Sequence, residues 1–276
     1  MNPILSLSCL LLAIAPPPTA PAPTQAAPAD AVPLPACLIP TPRADEGGKA
    51  RQQEVLRRVR EAKSPVPVIF VGDSITQGWE EAGATSWKEH FDPSGALNLG
   101  VGGDRTEHVL WRLEQAPLTE LHPQVVVLMI GTNNASTGRD SGSLIARGVH
   151  AVVDRLVAQC PEAEVLVLDI PPRGQVINPL RGLVLQVNQA LAAGPWPERV
   201  TFLRVADEFV RGDGTIDEAI MPDFLHLSPE GYRRWAAAIA PAVRERLAIT
   251  EPRPMEPAAP EAAPSPPATD APPAGR

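Results

Sequence analysis

The sequence predicts an α/β domain, a three-layer αβα sandwich built on a five-stranded parallel sheet. Short apolar runs at 66–71, 96–99, 125–130, 164–170 and 200–205 alternate with helical patterns at 104–115, 143–159, 180–193 and 229–247. That alternation is the mark of βαβ units with helices on both faces of the sheet. The first run is continuously apolar, as a strand buried on both faces requires. Five strands so connected suggest the flavodoxin-like order 2-1-3-4-5, with its ligand site at the end of the first strand.

The elements follow in order. An amphipathic stretch at 48–63 packs as a helix ahead of the first strand. That strand stops at Gly72-Asp73-Ser74, where a hydroxyl at the C-terminal edge of the sheet is a nucleophile candidate. A serine at the start of a helix can equally serve only as its cap. The second strand runs into Asn98-Leu99-Gly100-Val101-Gly102-Gly103-Asp104. Glycines there expose backbone N–H donors at a helix start, which suits an oxyanion hole with Gly103 as one donor. The spacing is not that of a dinucleotide-binding loop. The third strand ends in Gly131-Thr132-Asn133-Asn134, and the Asn133 side chain offers a neutral N–H donor. After the last strand region come Asp223 and His226, three residues apart on a turn. The carboxylate can hold one imidazole nitrogen protonated and leave the other to accept a serine proton. His108 and His150 fall inside helical patterns and read as packing or surface residues, and His90 and His122 lack any such context.

Gly-Asp-Ser, Gly-Gly-Asp, Gly-Thr-Asn-Asn and Asp-x-x-His, in this order and spacing, resemble blocks I, II, III and V of the SGNH (GDSL) hydrolase family. Residues 98–114, 125–134, 171–181 and 226–236 are similar to its platelet-activating-factor acetylhydrolase branch. The resemblance implies the SGNH hydrolase fold over about 65–247, with Ser74 as nucleophile, His226 as base and Asp223 as its orienter. It implies the Ser74 N–H, the Gly103 N–H and the Asn133 side chain as the oxyanion hole. Block III reads GTNN here where the family more commonly has GTND, which leaves Asn133 in place.

The expected activity is a serine esterase cleaving short, acetyl-type esters through an acyl-enzyme, with no cofactor and no metal. Bulky neighbours of the catalytic residues, Ile75, Thr132 and Leu225, are expected to crowd the acyl pocket; core packing is the alternative reading for them. Two rival functions stand beside this one. The first is an exported carbohydrate O-acetylesterase, and the second a non-catalytic binding module on the same fold.

Composition sets the outer limits. The net charge of −8 argues against nucleic acid, whose phosphates need a basic face. Residues 4–15 are apolar and of signal-peptide length, too short to span a bilayer, with cleavage expected near Ala26. The expected organisation is a leader at 1–26, a Pro/Ala-rich linker at 27–44, the domain at 45–250 and a Pro/Ala-rich tail at 251–276. Tails of this composition bury too little apolar surface to order themselves. Export to periplasm or medium follows from the leader, with the cytoplasm as the alternative. Cys37 and Cys160 are read either as a pair stapling the N-terminal arm or as two small hydrophobes. The expected partner is a small-molecule or polysaccharide ester, with no stable membrane span in the mature chain and a homodimer as a further candidate.

Overall fold

The computed structural model describes residues 33–250. The leader with its expected cleavage point and the tail at 251–276 lie outside the described residues. Chain order gives α1 (Glu46–Glu61), β1 (Val68–Gly72), α2 (Ser74–Gln77), α3 (Ala84–His90), β2 (Leu97–Asn98), α4 (Thr106–Gln115) and β3 (Val125–Met129). There follow α5 (Thr132–Ser136), α6 (Gly142–Gln159), β4 (Glu164–Leu168), α7 (Pro179–Ala193), β5 (Val200–Leu203) and α8 (Pro229–Thr250).

All five strands are parallel and ordered β2-β1-β3-β4-β5, as expected from the sequence. Every residue of β1 and β3 is buried, because helices cover both faces. One face packs Val126, Leu128 and Val165 against α1, α4, α6 and α7. The other packs Phe70, Val127 and Leu166 against α3 and α8, where Trp79, Trp87, Phe91, Tyr232 and Trp235 form an aromatic cluster. The helix starts have local causes. Asp45, Ser141 and Asn178 each accept a hydrogen bond from a first-turn N–H, and Pro179 occupies the first turn of α7. The short α3 and α5 were not expected, since neither is long enough to show a period.

The Pro/Ala-rich linker needs correction at its C-terminal part. The compact unit begins at Leu34, not at residue 45. Cys37 is fully buried, its carbonyl accepts the Thr106 hydroxyl at 2.8 Å, and the Thr41 N–H donates to the Glu107 carbonyl at 3.0 Å. A buried thiol and paired backbone groups give residues 34–44 enough contacts to order themselves. The two cysteines are free, so the second of the two readings holds; the Cys37 thiol donates to the Leu144 carbonyl instead.

Candidate active site

The β1–α2 turn brings Ser74 out of the sheet. Gly72 has no room for a side chain: a Cβ there would sit 2.1 Å from the Thr76 hydroxyl and 2.5 Å from the Met129 carbonyl. Asp73, not Ser74, caps α2, accepting from the Ile75 N–H at 3.0 Å. The hydroxyl of Ser74 is thereby free of the capping role, and its Oγ lies 2.9 Å from His226 Nε2. Asn98 and Tyr232 pin this helix from both sides, donating to the Thr76 carbonyl at 2.9 Å and the Ile75 carbonyl at 2.6 Å.

His226 Nδ1 is 2.7 Å from Asp223 Oδ2, while Asp223 Oδ1 accepts the N–H groups of Leu225 and His226 at 3.0 and 2.7 Å. The turn that achieves this holds Phe224 at φ 56°, a left-handed conformation uncommon for a bulky residue. Its carbonyl accepts the Gly174 N–H at 2.7 Å, so the loop after β4 supports the turn. Partial burial raises the Asp223 pKa, but hydrogen bonds from the His226 ring and from the His226 and Leu225 N–H groups outweigh it. The net position is below the ordinary carboxylate range.

The other two parts expected from the sequence lie on the turns after β2 and β3, where neighbouring Gly102 faces Ser74. Gly103 adopts φ 76°, which glycine tolerates freely. Neither the Ser74 nor the Gly103 N–H donates to an acceptor among the described residues. Asn133 donates one Nδ2 proton to the Asp104 carbonyl at 2.9 Å and keeps its second proton. Of the three expected acyl-pocket residues, Ile75 and Thr132 are buried, Ile75 within the aromatic-side core. Leu225 is half-buried against the same core and has the most accessible surface. The site is open: the His226 and Asp223 side chains are 46% and 55% exposed. A cavity of about 480 Å³ lies elsewhere, between α7 and β5, and none of these residues lines it.

Several site residues escaped the sequence reading. Asp73 is buried, and desolvation pushes its pKa up to about 6 against the pull of the Ile75 N–H and of the His226 and Arg173 charges. Arg173 follows β4 and donates to the Thr132 carbonyl at 3.4 Å and to the Ser136 hydroxyl. Asn134 is fully buried; it accepts the Thr106 N–H at 3.0 Å and donates to Glu107 at 3.0 Å, tying α5 to α4. Asp73 stood in the Gly-Asp-Ser motif without a role of its own, and the second Asn of GTNN and the arginine of the Pro-Pro-Arg-Gly stretch are the signals for the other two. Each is too common to single out a site.

A family model for the GDSL-like lipase/acylhydrolase family matches residues 70–234. Platelet-activating factor acetylhydrolase IB subunit alpha1 of Homo sapiens is 42% identical over 199 residues, which is 70% of this chain and 83% of that protein. Among solved structures, a GDSL-like lipase from Bacteroides thetaiotaomicron superposes with a TM-score of 0.58 at 20% identity, covering 71% of this chain and 98% of the other. A catalytic mutant of an acetylxylan esterase from Geobacillus stearothermophilus gives 0.52 at 16% identity, over 66% and 96%. The two structures share the fold. With the motif order, the parallel sheet and the close relatives all in agreement, the chain belongs to the GDSL-like lipase/acylhydrolase family and is a carboxylic ester hydrolase.

Proposed function

We propose that this protein is a serine esterase that removes acetyl-sized groups through an acyl-enzyme. The observation that carries the reading is the unbroken line from Ser74 Oγ to His226 Nε2 at 2.9 Å and from His226 Nδ1 to Asp223 at 2.7 Å. Ser74 Oγ attacks the ester carbonyl while His226 Nε2 takes its proton. Asp223 keeps the other nitrogen protonated and stabilises the imidazolium that forms. The two free N–H groups of Ser74 and Gly103 and the spare proton of Asn133 receive the negative charge on the carbonyl oxygen. His226 then protonates the departing alcohol, and a water activated the same way releases the acid.

The short acyl preference is supported by the half-buried Leu225 beside His226 and by the name of a close relative, an acetylhydrolase. The test of the mechanism is a fluorophosphonate probe, which should label the intact protein on Ser74 and leave Ser74→Ala unlabelled. Labelling that persists in Ser74→Ala would defeat it. A second reading names the alcohol half as an acetylated carbohydrate. The open site favours a bulky polar alcohol, and an acetylxylan esterase shares the fold. Comparing hydrolysis of acetylated xylo-oligosaccharides with that of acetyl-phospholipids decides between them.

A further inference from the structure

We propose that Arg43, on the N-terminal arm, is a positioning residue that sets the oxyanion loop. The proposal rests on the reading of Gly103 and Asn133 as oxyanion donors. Arg43 lies outside the span matched by the family model and precedes the first strand by about 25 residues.

Its side chain is 13% exposed and reaches the loop at three points. The guanidinium NH1 donates to the Gly102 carbonyl and pairs with Asp104 Oδ1 at 3.2 Å. Its plane covers Gly103, where a Cβ would stand 2.8 Å from NH2 and 3.2 Å from Cζ. Asp45 holds the guanidinium from the arm's own side, with Oδ2 at 2.9 Å from Nε and 2.7 Å from NH2. The Arg43 N–H donates to Gln52 on α1 at 3.0 Å, which fixes the backbone that carries it.

Asp104 is the shared node. Its carboxylate has no solvent exposure and is clamped between Arg43 and Arg112 of α4. Its backbone follows Gly103 directly, and its carbonyl accepts Asn133 Nδ2 at 2.9 Å. A shift of Asp104 therefore moves two of the three oxyanion donors together. Removing Arg43 leaves Arg112 as the remaining guanidinium on the buried carboxylate and strips the Gly102 carbonyl of its donor, and part-buried polar groups that lose a partner are penalised. The loop relieves this by moving, and a displacement of about 1 Å at such a site is enough to cost about 10² in rate. Charge balance, carbonyl capture and steric cover all come from one side chain contributed by the arm.

The experiment compares wild-type, Arg43→Ala and Arg43→Lys on p-nitrophenyl acetate. The expected result is a kcat lower by about ten- to a hundredfold in Arg43→Ala, with KM within threefold. Arg43→Lys should fall between, since it keeps the charge and loses the fork. Methylguanidine in solution should restore part of the Arg43→Ala rate. The acid limb of kcat/KM, which reports the base, should stay where it is. A wild-type kcat in Arg43→Ala overturns the proposal. So does a loss that tracks a fall in melting temperature and answers to neither Lys nor methylguanidine. Should Arg43→Ala fail to fold, the Lys and Gln variants carry the same comparison. A wild-type protein inert towards all esters would defeat the functional reading alone. The brace is then read by the NMR signals of the Gly103 amide and the Asn133 side-chain amide, which must shift in the variants. Unmoved signals overturn it.

Discussion

In the proposed mechanism Ser74 and His226 act on one proton, so removing either removes the same step. Ser74→Ala and His226→Ala should each cut turnover of p-nitrophenyl acetate by about 10⁴ or more, with folded far-ultraviolet spectra. Asp223→Asn should keep more activity than either, because the carboxylate orients and stabilises without taking the proton. Equal losses in all three would contradict that division of labour. Asp73 makes a separate prediction about pH. Its folded pKa of about 6 lies above the ordinary value of 3.8 for an aspartate, because burial disfavours the anion. The folded state therefore holds this proton more tightly, and folding loses stability as pH rises from about 4 to about 6, by up to roughly 3 kcal/mol. Asp73→Asn keeps an acceptor for the Ile75 N–H and removes the titration. Its melting temperature relative to wild type should be more favourable at pH 7.5 than at pH 4. A difference that does not change with pH would place the buried charge elsewhere. Ser74, Gly103 and Asn133 were readable as candidates because each lies just past an apolar run, where sheet physics leaves exposed loops, and Asp223 and His226 because of their three-residue spacing on a turn. Asn134 and Arg43 were not. Their partners lie across the fold, and a side chain that reaches 59 residues along the chain to Gly102 leaves no period or spacing in the sequence.

At the level of elements, the catalytic turn hangs on the loop after β4, and one arginine organises that loop. Arg181, 8% exposed in the first turn of α7, donates to the carbonyls of Arg173 at 3.2 Å, Gly174 at 2.6 Å, Gln175 at 3.2 Å and Gly214. Gly174 in turn bonds Phe224 of the catalytic turn. Arg181→Met should strand these carbonyls and lower the melting temperature by roughly 5–10 °C, at about 2–4 kcal/mol for the lost bonds. Activity should fall more than the small change in population explains, since the turn loses its support. A melting temperature unchanged within 1 °C would show that water replaces the guanidinium without loss. The five strands and the long helices were legible because apolar runs and helical periods are local properties. Boundaries moved by a few residues, and α3 and α5 were missed because five to seven residues cannot display a period. The left-handed Phe224 was also beyond reach, as nothing in Asp-Phe-Leu-His asks for it.

For the whole molecule, the C-terminal edge of the sheet gathers the turns after β1, β2 and β3 with the loop ahead of α8, and the catalytic side chains among them are half open to solvent. Specificity constants for p-nitrophenyl esters from two to twelve carbons should peak at two to four. They should then decline stepwise, since an apolar pocket discriminates by only about 1–3 kcal/mol per methylene. Leu225→Ala, at the most accessible of the three expected pocket positions, should move the peak to longer chains. A maximum at eight carbons or beyond would contradict the crowded pocket. The ordered arm carries a further consequence through its buried thiol. Burial pushes Cys37 up to about 11 and Cys160 up to about 12, so neither supplies thiolate to a reagent while its surroundings hold. Cys37 belongs to the arm itself, buried against α4 and α6, and Cys160 lies at the end of α6, in the main core. The protein thus contains two chemical clocks, one for release of its own N-terminal strap and one for loss of the whole domain. In urea below the unfolding midpoint, alkylation mapped by mass spectrometry should mark Cys37 well before Cys160, because local opening needs less free energy than global unfolding. Simultaneous labelling would mean that strap and domain come apart as a single unit.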